Sequence, residues 1–294
     1  MKRLLIPILI LTLLLSGCTA AEAPAQVAAT TLPVYEFTAR LCEGTDITVT
    51  RLITENVSCL HDYSLNVRQV KAAEAAQVII ISGAGLEAFM EDILSDKATI
   101  DASTGVALLQ ATTVHEHEHE HEHNHDHEHE EDSHIWLSPA NAKIMAANIC
   151  EGLCKQYPAH TGIFQANLAT LIADLDALEA YGQEQFSTLG THDLITFHDG
   201  FGYFADAFGL HILEAVEEES GSEASAQELK HLISVVQEYK LPAIFIETNG
   251  SVSAADVIAR ETGAKVYTLD MAMSGDSYFE AMYHNIDTIK EALG

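Results

Sequence analysis

The stretch "TGIFQANLATLIADLDALEAYGQEQFSTL", Thr161 to Leu189, constrains the fold more than any other part of the chain. Phe164, Leu168, Leu171, Ile172, Leu175 and Leu178 recur at helical spacing, and no proline interrupts them. The pattern predicts one helix of roughly 40 Å, at about 1.5 Å of rise per residue. A rod of that length in mid-chain favours two lobes, one on either side of it in sequence. A single large sheet is the alternative.

Both flanks alternate short apolar runs with helical patterns. Before the long helix, "QVAATTLP" reads as a strand followed by a helix through Leu41, and "DITVTRLI" as a second strand. "QVIIISG", Gln77 to Gly83, is an apolar run closed by glycine, as in a strand buried on both faces. Helices are expected over Val67–Ala76 and Leu86–Leu94, with a fourth strand at "KATIDAS". A further helix is expected from Pro139 to Tyr157, because proline suits a first helical turn. After the long helix, "DLITFHDG", "LHILEAV", "AIFIETN" and "KVYTLD" read as strands. Helices fall between and after them, at "FGYFADAFG", Ala224–Tyr239, Ser253–Thr262 and Ser277–Leu293. This alternation predicts βα units and parallel sheets. The expected fold class is therefore α/β, two lobes, each a parallel sheet flanked by helices, joined by one long rigid helix. The expected boundaries are a signal peptide at 1–17, a lipidated tether at 18–26, an N-terminal lobe at 27–160 with a His-rich loop at 114–132, the linking helix at 161–189, and a C-terminal lobe at 190–294.

The N-terminal expectation rests on "MKRLLIPILILTLLLSGC". Lys2 and Arg3 precede an apolar run too short to span a bilayer comfortably, so it reads as a secretory signal. "LSGC" resembles the bacterial lipobox, which implies cleavage before Cys18 and lipidation of its thiol. The protein is then extracytoplasmic, lipid-anchored to the bacterial cell membrane, or periplasmic if an outer membrane is present. Four further cysteines remain: Cys42, Cys59, Cys150 and Cys154. In an oxidising compartment they allow three pairings, among which sequence does not choose. Cys42–Cys59 is the pairing favoured here, since Cys150 and Cys154 are one helical turn apart and awkward to bridge. The formal net charge is −30, with 44 acids against 14 bases. Phosphate backbones would be repelled, so no nucleic-acid partner is expected.

Open parallel sheets bind ligands beyond the carboxyl ends of their strands. The loop after the second strand carries His61. The strand at Leu194–His198 ends in His198, followed by Asp199. The strand at Lys265–Asp270 ends in Asp270. His134 stands just before the helix at Pro139. Three imidazoles and a carboxylate, two from each half, form a four-ligand set suited to tetrahedral Zn²⁺; Mn²⁺ would be held less tightly. A closed set of four favours holding the ion over catalysis, because no position stays open for water. Asp199 and Glu247 are candidates to orient the ligands by hydrogen bonding. Trp136 has a plainer role, packing the loop that leads into the helix.

On these residues the chain resembles the metal-binding lipoproteins of bacterial ABC importers, the ZnuA/TroA type. "SHIWLSP" looks like the family's "DPHxWLDP", with Ser133 and Ser138 in place of the usual Pro and Asp. "TFHDGFGYFADAFGL" is similar to "HxAFGYFAxxYGL", and "YTLD" with "YFEAMYHNIDTIKEAL" to the closing segment. "CLHDYSLNVRQVKAAEAAQVIIISG" corresponds to "PHxYEPSPxDIKALxxADLVxxNG" and departs most, with Leu60 where Pro is usual. The resemblance implies two α/β lobes bridged by a rigid helix, a metal between them, an ABC permease as partner, a monomer, and no enzymatic activity. Manganese members of the family generally carry glutamate where this chain has His198, and acidic His-rich insertions belong to zinc members. Both features point to zinc. The competing readings are a manganese-binding homologue, a surface adhesin or zinc-storage lipoprotein without a transporter, and a zinc hydrolase.

The insertion itself, "VHEHEHEHEHNHDHEHEED", places histidine at every odd position from His115 through His117, His119, His121, His123, His125 and His127 to His129. It contains literal H-E-x-x-H matches, but in a charge-dense run these arise from repetition, and the segment has no apolar surface to bury. A protease reading is rejected. The expected role is auxiliary, weak metal binding near the cleft, since every binding mode must first order the chain. His134, at the edge of the run, belongs instead to the main site.

Overall fold

Among the described residues, eight strands form two separate parallel sheets, and the two sheets repeat one topology. The computed structural model describes residues 26–57, 60, 63–110, 131–217, 225–248, 250 and 252–294. The signal segment, Cys18, most of the tether, Cys59, His61 and the histidines from His115 to His129 lie outside the described residues. In the first sheet the order is β2-β1-β3-β4, built from β1 (Gln26–Ala29), β2 (Thr48–Arg51), β3 (Val78–Ile81) and β4 (Thr99–Asp101). In the second it is β6-β5-β7-β8, from β5 (Asp193–His198), β6 (His211–Glu217), β7 (Ala243–Glu247) and β8 (Lys265–Leu269). Each lobe's first strand thus lies between its second and third, so the chain reverses direction of travel beside it. Ligand crevices in open α/β sheets form at that switch point, beyond the strand ends.

The linking rod is α5 (Thr161–Phe186), which buries Phe164, Leu171, Leu175, Leu178 and Phe186 along one side. It packs on α1 (Leu32–Leu41), α4 (Pro139–Gln156) and α9 (Tyr278–Leu293), so both lobes share it. At Gly182 a side-chain carbon would stand 2.3 Å from the Phe208 ring, so only glycine permits this approach of α5 to α6 (Gly202–Phe208). α4 starts as the sequence suggested. Ser138 caps it by accepting from Asn141 N, and Pro139 takes the first turn.

One apolar core runs through both lobes, taking in Phe37, Trp136, Phe164, Phe204 and Tyr278. A second, smaller one lies on the outer face of the C-terminal sheet, where Ile195, Phe197, Ile244 and Ile246 meet α7 (Ala226–Tyr239) and α8 (Val252–Thr262). Polar ties cross between the lobes through the shared core. Trp136 Nε1 donates to Met271 O at 2.8 Å, and Tyr278 Oη donates to Trp136 O at 2.8 Å. Trp136 is therefore more than packing: it is a buried polar link between lobes.

The cysteines correct one expectation. Cys42 is a free thiol and not the disulfide partner of Cys59. It follows α1 directly and is packed into the apolar core, where burial pushes its thiol up to about 12. Cys150 and Cys154 are free as well. Among the described residues, no helix is long and apolar enough to cross a membrane.

Candidate metal centre

His198 is the last residue of β5, a strand buried along nearly its whole length. Its side chain points to the face shared with the N-terminal lobe. Ile195 and Phe197 point the other way, into the outer core, as the strand's two-residue alternation requires. His134 precedes the short 3₁₀ turn Ile135–Leu137 that leads into α4. The two rings are 3% and 1% exposed, for His134 and His198, so they meet out of water. They stand edge to face with Nε2 of one 3.3 Å from Nε2 of the other.

Asp132 sets the chemistry of this pair. Its Oδ1 accepts from His134 Nδ1 at 2.8 Å and from the His134 backbone N–H at 2.9 Å. A carboxylate oxygen accepts, so in the neutral ring that coordinates a metal Nδ1 carries the hydrogen and Nε2 the lone pair. That lone pair points at His198. Gly200, having no side chain, leaves room for the His198 ring. A carbon there would lie 2.8 Å from His198 Cδ2 and 2.6 Å from Met271 Cε.

The remaining predicted residues fall at different distances from this pair. Glu247 ends β7 and is buried. The β5–β7 register pairs Thr196 with Phe245, so two residues further on Glu247 stands level with His198 on the same face. Asp199 follows in the turn after β5 and is half-buried. Asp270 follows β8 directly. Its backbone is clasped by Asn285 in two 2.7 Å hydrogen bonds, and its Oδ1 accepts from Ala272 N at 2.7 Å. His61 lies outside the described residues. The Glu55 carboxylate accepts from Tyr63 Oη at 3.0 Å and from Gln69 Nε2 at 2.8 Å. Among the described residues, no three histidine, cysteine or acidic side chains stand close enough to hold a metal together. Among the described members of the predicted set, His134 and His198 are the two in direct contact.

Asp132 was missed in the sequence, where it counted as one more acid of the His-rich loop. Its signal was position, two residues before His134 and six before Ser138, which caps α4. Its burial at 7% separates it from the run. Beyond the strand ends of the N-terminal sheet, the described residues include a buried carboxylate, Glu87. It accepts from Thr30 Oγ1 at 2.6 Å, Ser82 N at 2.7 Å and Gly83 N at 3.0 Å. Burial pushes the Glu87 carboxyl up to about 7.

Two like-folded α/β lobes bridged by a single long helix, with buried imidazole donors between them, define a metal-binding solute-binding protein. The chain belongs to the ZnuA family, described as zinc-uptake complex component A, periplasmic, which it matches over residues 27–292. It is similar to the zinc-binding protein AdcA of Streptococcus pyogenes serotype M6, with 31% identity over 291 residues covering 92% of this chain and 56% of AdcA. The chain thus spans about half the length of that relative. The iron-binding protein YfeA of Yersinia pestis is 26% identical over 275 residues, covering 90% of this chain and 85% of YfeA. The crystal structure of ZnuA superimposes with a TM-score of 0.79 at 28% identity, covering 92% of this chain and 100% of that one. The family consists of the metal-carrying solute-binding components of ABC importers, and the protein is not an enzyme.

Proposed function

We propose that this protein is the extracytoplasmic zinc-binding component of an ABC metal importer, capturing Zn²⁺ between its lobes and delivering it to the membrane permease. One observation carries the reading. Two nitrogens bound to a tetrahedral zinc at about 2.05 Å each must lie about 3.3 Å apart. His134 Nε2 and His198 Nε2 are 3.3 Å apart. The proposed ligand set is His61, His134, His198 and Asp270, with Asp199 and Glu247 orienting the His198 side. Imidazole at position 198 favours zinc, because a harder carboxylate would suit manganese better. The histidines from His115 to His129 add weak sites near the cleft. Lipid on Cys18 holds the protein, acting as a monomer, at the membrane beside its permease.

The test is metal analysis of the folded chain, followed by competition titration of zinc against manganese and iron. A single tight site preferring zinc is expected. A preference for manganese or iron would move the cargo assignment, and absence of any tight divalent site would remove the reading.

A further inference from the structure

Asp132 and His134 belong to the N-terminal lobe, yet the group that holds Asp132 in place comes from the other lobe. Tyr203, in the first turn of α6, is 3% exposed. Its hydroxyl donates to Asp132 O at 2.9 Å and accepts from Leu109 N at 2.9 Å. Asp132 N in turn donates to Leu109 O at 2.9 Å, and Gln110 pairs antiparallel with Glu131 one step beyond. Leu109 and Asp132 are the two ends of the neck from which the His-rich insertion departs. One phenol thus clamps both sides of the neck. Gly202 gives the carboxylate room: a carbon there would stand 3.1 Å from Asp132 Oδ2. Burial pushes the Tyr203 hydroxyl up to about 12, so it remains a donor throughout the physiological range.

We propose that Asp132 and Tyr203 are positioning residues for His134. Asp132 fixes the ring's tautomer and direction, and Tyr203 fixes Asp132 by docking the insertion's neck onto the C-terminal lobe. The inference rests on the reading that His134 is a metal ligand. Its physical basis is that an imidazole without a partner exchanges tautomers and turns about χ2 freely. Either motion removes the Nε2 lone pair from the cleft. A hydrogen-bonded carboxylate removes that freedom before the metal arrives. It follows that, whatever the insertion binds, Asp132, two residues before His134, stays pinned by Leu109 of its own lobe and by Tyr203 of α6.

The experiment uses the full chain with Asp132→Ala, Asp132→Asn, Tyr203→Phe and, as a reference, His134→Ala. Zinc affinity is measured by competition titration. The His134 tautomer in the metal-free chain is read from ¹⁵N–¹H ring correlations. Asp132→Ala should weaken zinc binding about 10- to 100-fold and give mixed tautomers. Asp132→Asn, whose amide oxygen still accepts from Nδ1–H, should restore most of the affinity and the single tautomer. Tyr203→Phe keeps the ring and loses both bonds; it should weaken binding about threefold to tenfold, with partial mixing. Should Asp132→Ala fail to fold, Tyr203→Phe and the asparagine variant carry the test. Wild-type affinity and an unchanged tautomer in the alanine and phenylalanine variants, while His134→Ala loses zinc, would overturn the positioning roles alone. Wild-type affinity in His134→Ala would overturn the ligand reading and this inference with it.

Discussion

His134 Nε2 and His198 Nε2 face each other across 3.3 Å, one from each lobe, with both rings buried. If they share one ion, removing either should weaken zinc binding by at least tenfold, about 1.4 kcal/mol. Removing both should cost less than the two single losses combined, since neighbours in one site do not act independently. Calorimetric competition on His134→Ala, His198→Ala and the double variant measures this. Losses that add to within about 0.5 kcal/mol would mean the two rings do not share an ion.

The donor at position 198 should also set metal preference. His198→Glu exchanges imidazole for a harder oxygen donor and is expected to narrow zinc-over-manganese discrimination. Parallel titrations with the two metals read it directly. Unaltered discrimination would place selectivity elsewhere in the ligand set.

Gly200→Ala should act on the site through space alone. The added methyl carbon would lie 2.8 Å from His198 Cδ2. Met271 can withdraw its terminal methyl, but the ring sits on a buried strand end and must tilt. The expected result is a loss of zinc affinity of about tenfold, with an overpacking cost of about 1–3 kcal/mol in the metal-free chain. Gly209→Ala is the control: its φ of +65° at the end of α6 makes the change strained, but no atom lies within contact of the added carbon. That variant should lose stability and keep its zinc affinity. Equal affinity losses in both would point to general destabilisation.

Deleting His115 to Glu130 and bridging the gap with a short Gly/Ser linker should leave one tight zinc site. Gln110 and Glu131 are already paired across the neck, so the bridge need not be long. The additional weak sites should vanish with their imidazoles. Stoichiometry by calorimetry decides it, and loss of the tight site in a folded deletion variant would mean that the run supplies a primary ligand.

Glu87 should make the metal-free protein's stability fall as pH rises. Its carboxyl is raised from the ordinary 4.5 to about 7, so the folded state holds the proton more tightly than the unfolded chain. The stabilisation is complete below pH 4.5 and is lost as pH rises through about 7, with a size of about 3 kcal/mol from this group alone. Glu87→Gln should flatten that part of the profile. It should cost stability at low pH, because its amide nitrogen cannot accept from the Gly83 N–H, and that cost should shrink as pH rises through about 7. Urea unfolding at several pH values checks both, and an unchanged slope in the variant would assign the pH dependence to other groups.

Much of the architecture was legible without coordinates. The β-branched runs, the helical spacing of Phe164 to Leu178, Pro139 after a capping serine and His198 at a strand end are all short-range signals. Each is set by backbone geometry and by which face of an element meets water. The two parallel four-stranded sheets, with α5 between them in the chain, agree with the two lobes that the long helix implied. Less was legible at the site. Cys42 looked available for pairing because nothing local showed that it follows α1 into the core.

What the sequence determined by itself was therefore the elements and the positions that end them, because hydrophobic periodicity and capping act over a few residues. What only the tertiary structure decided was who meets whom. His134 and His198 are 64 residues apart in the chain, and their contact depends on how two separately formed sheets dock on α5. Asp132 and Glu131 are alike as letters in an acidic run. Docking buries the first against His134 and Tyr203 and leaves the second exposed, and burial decides which of the two carboxylates is bound into the site.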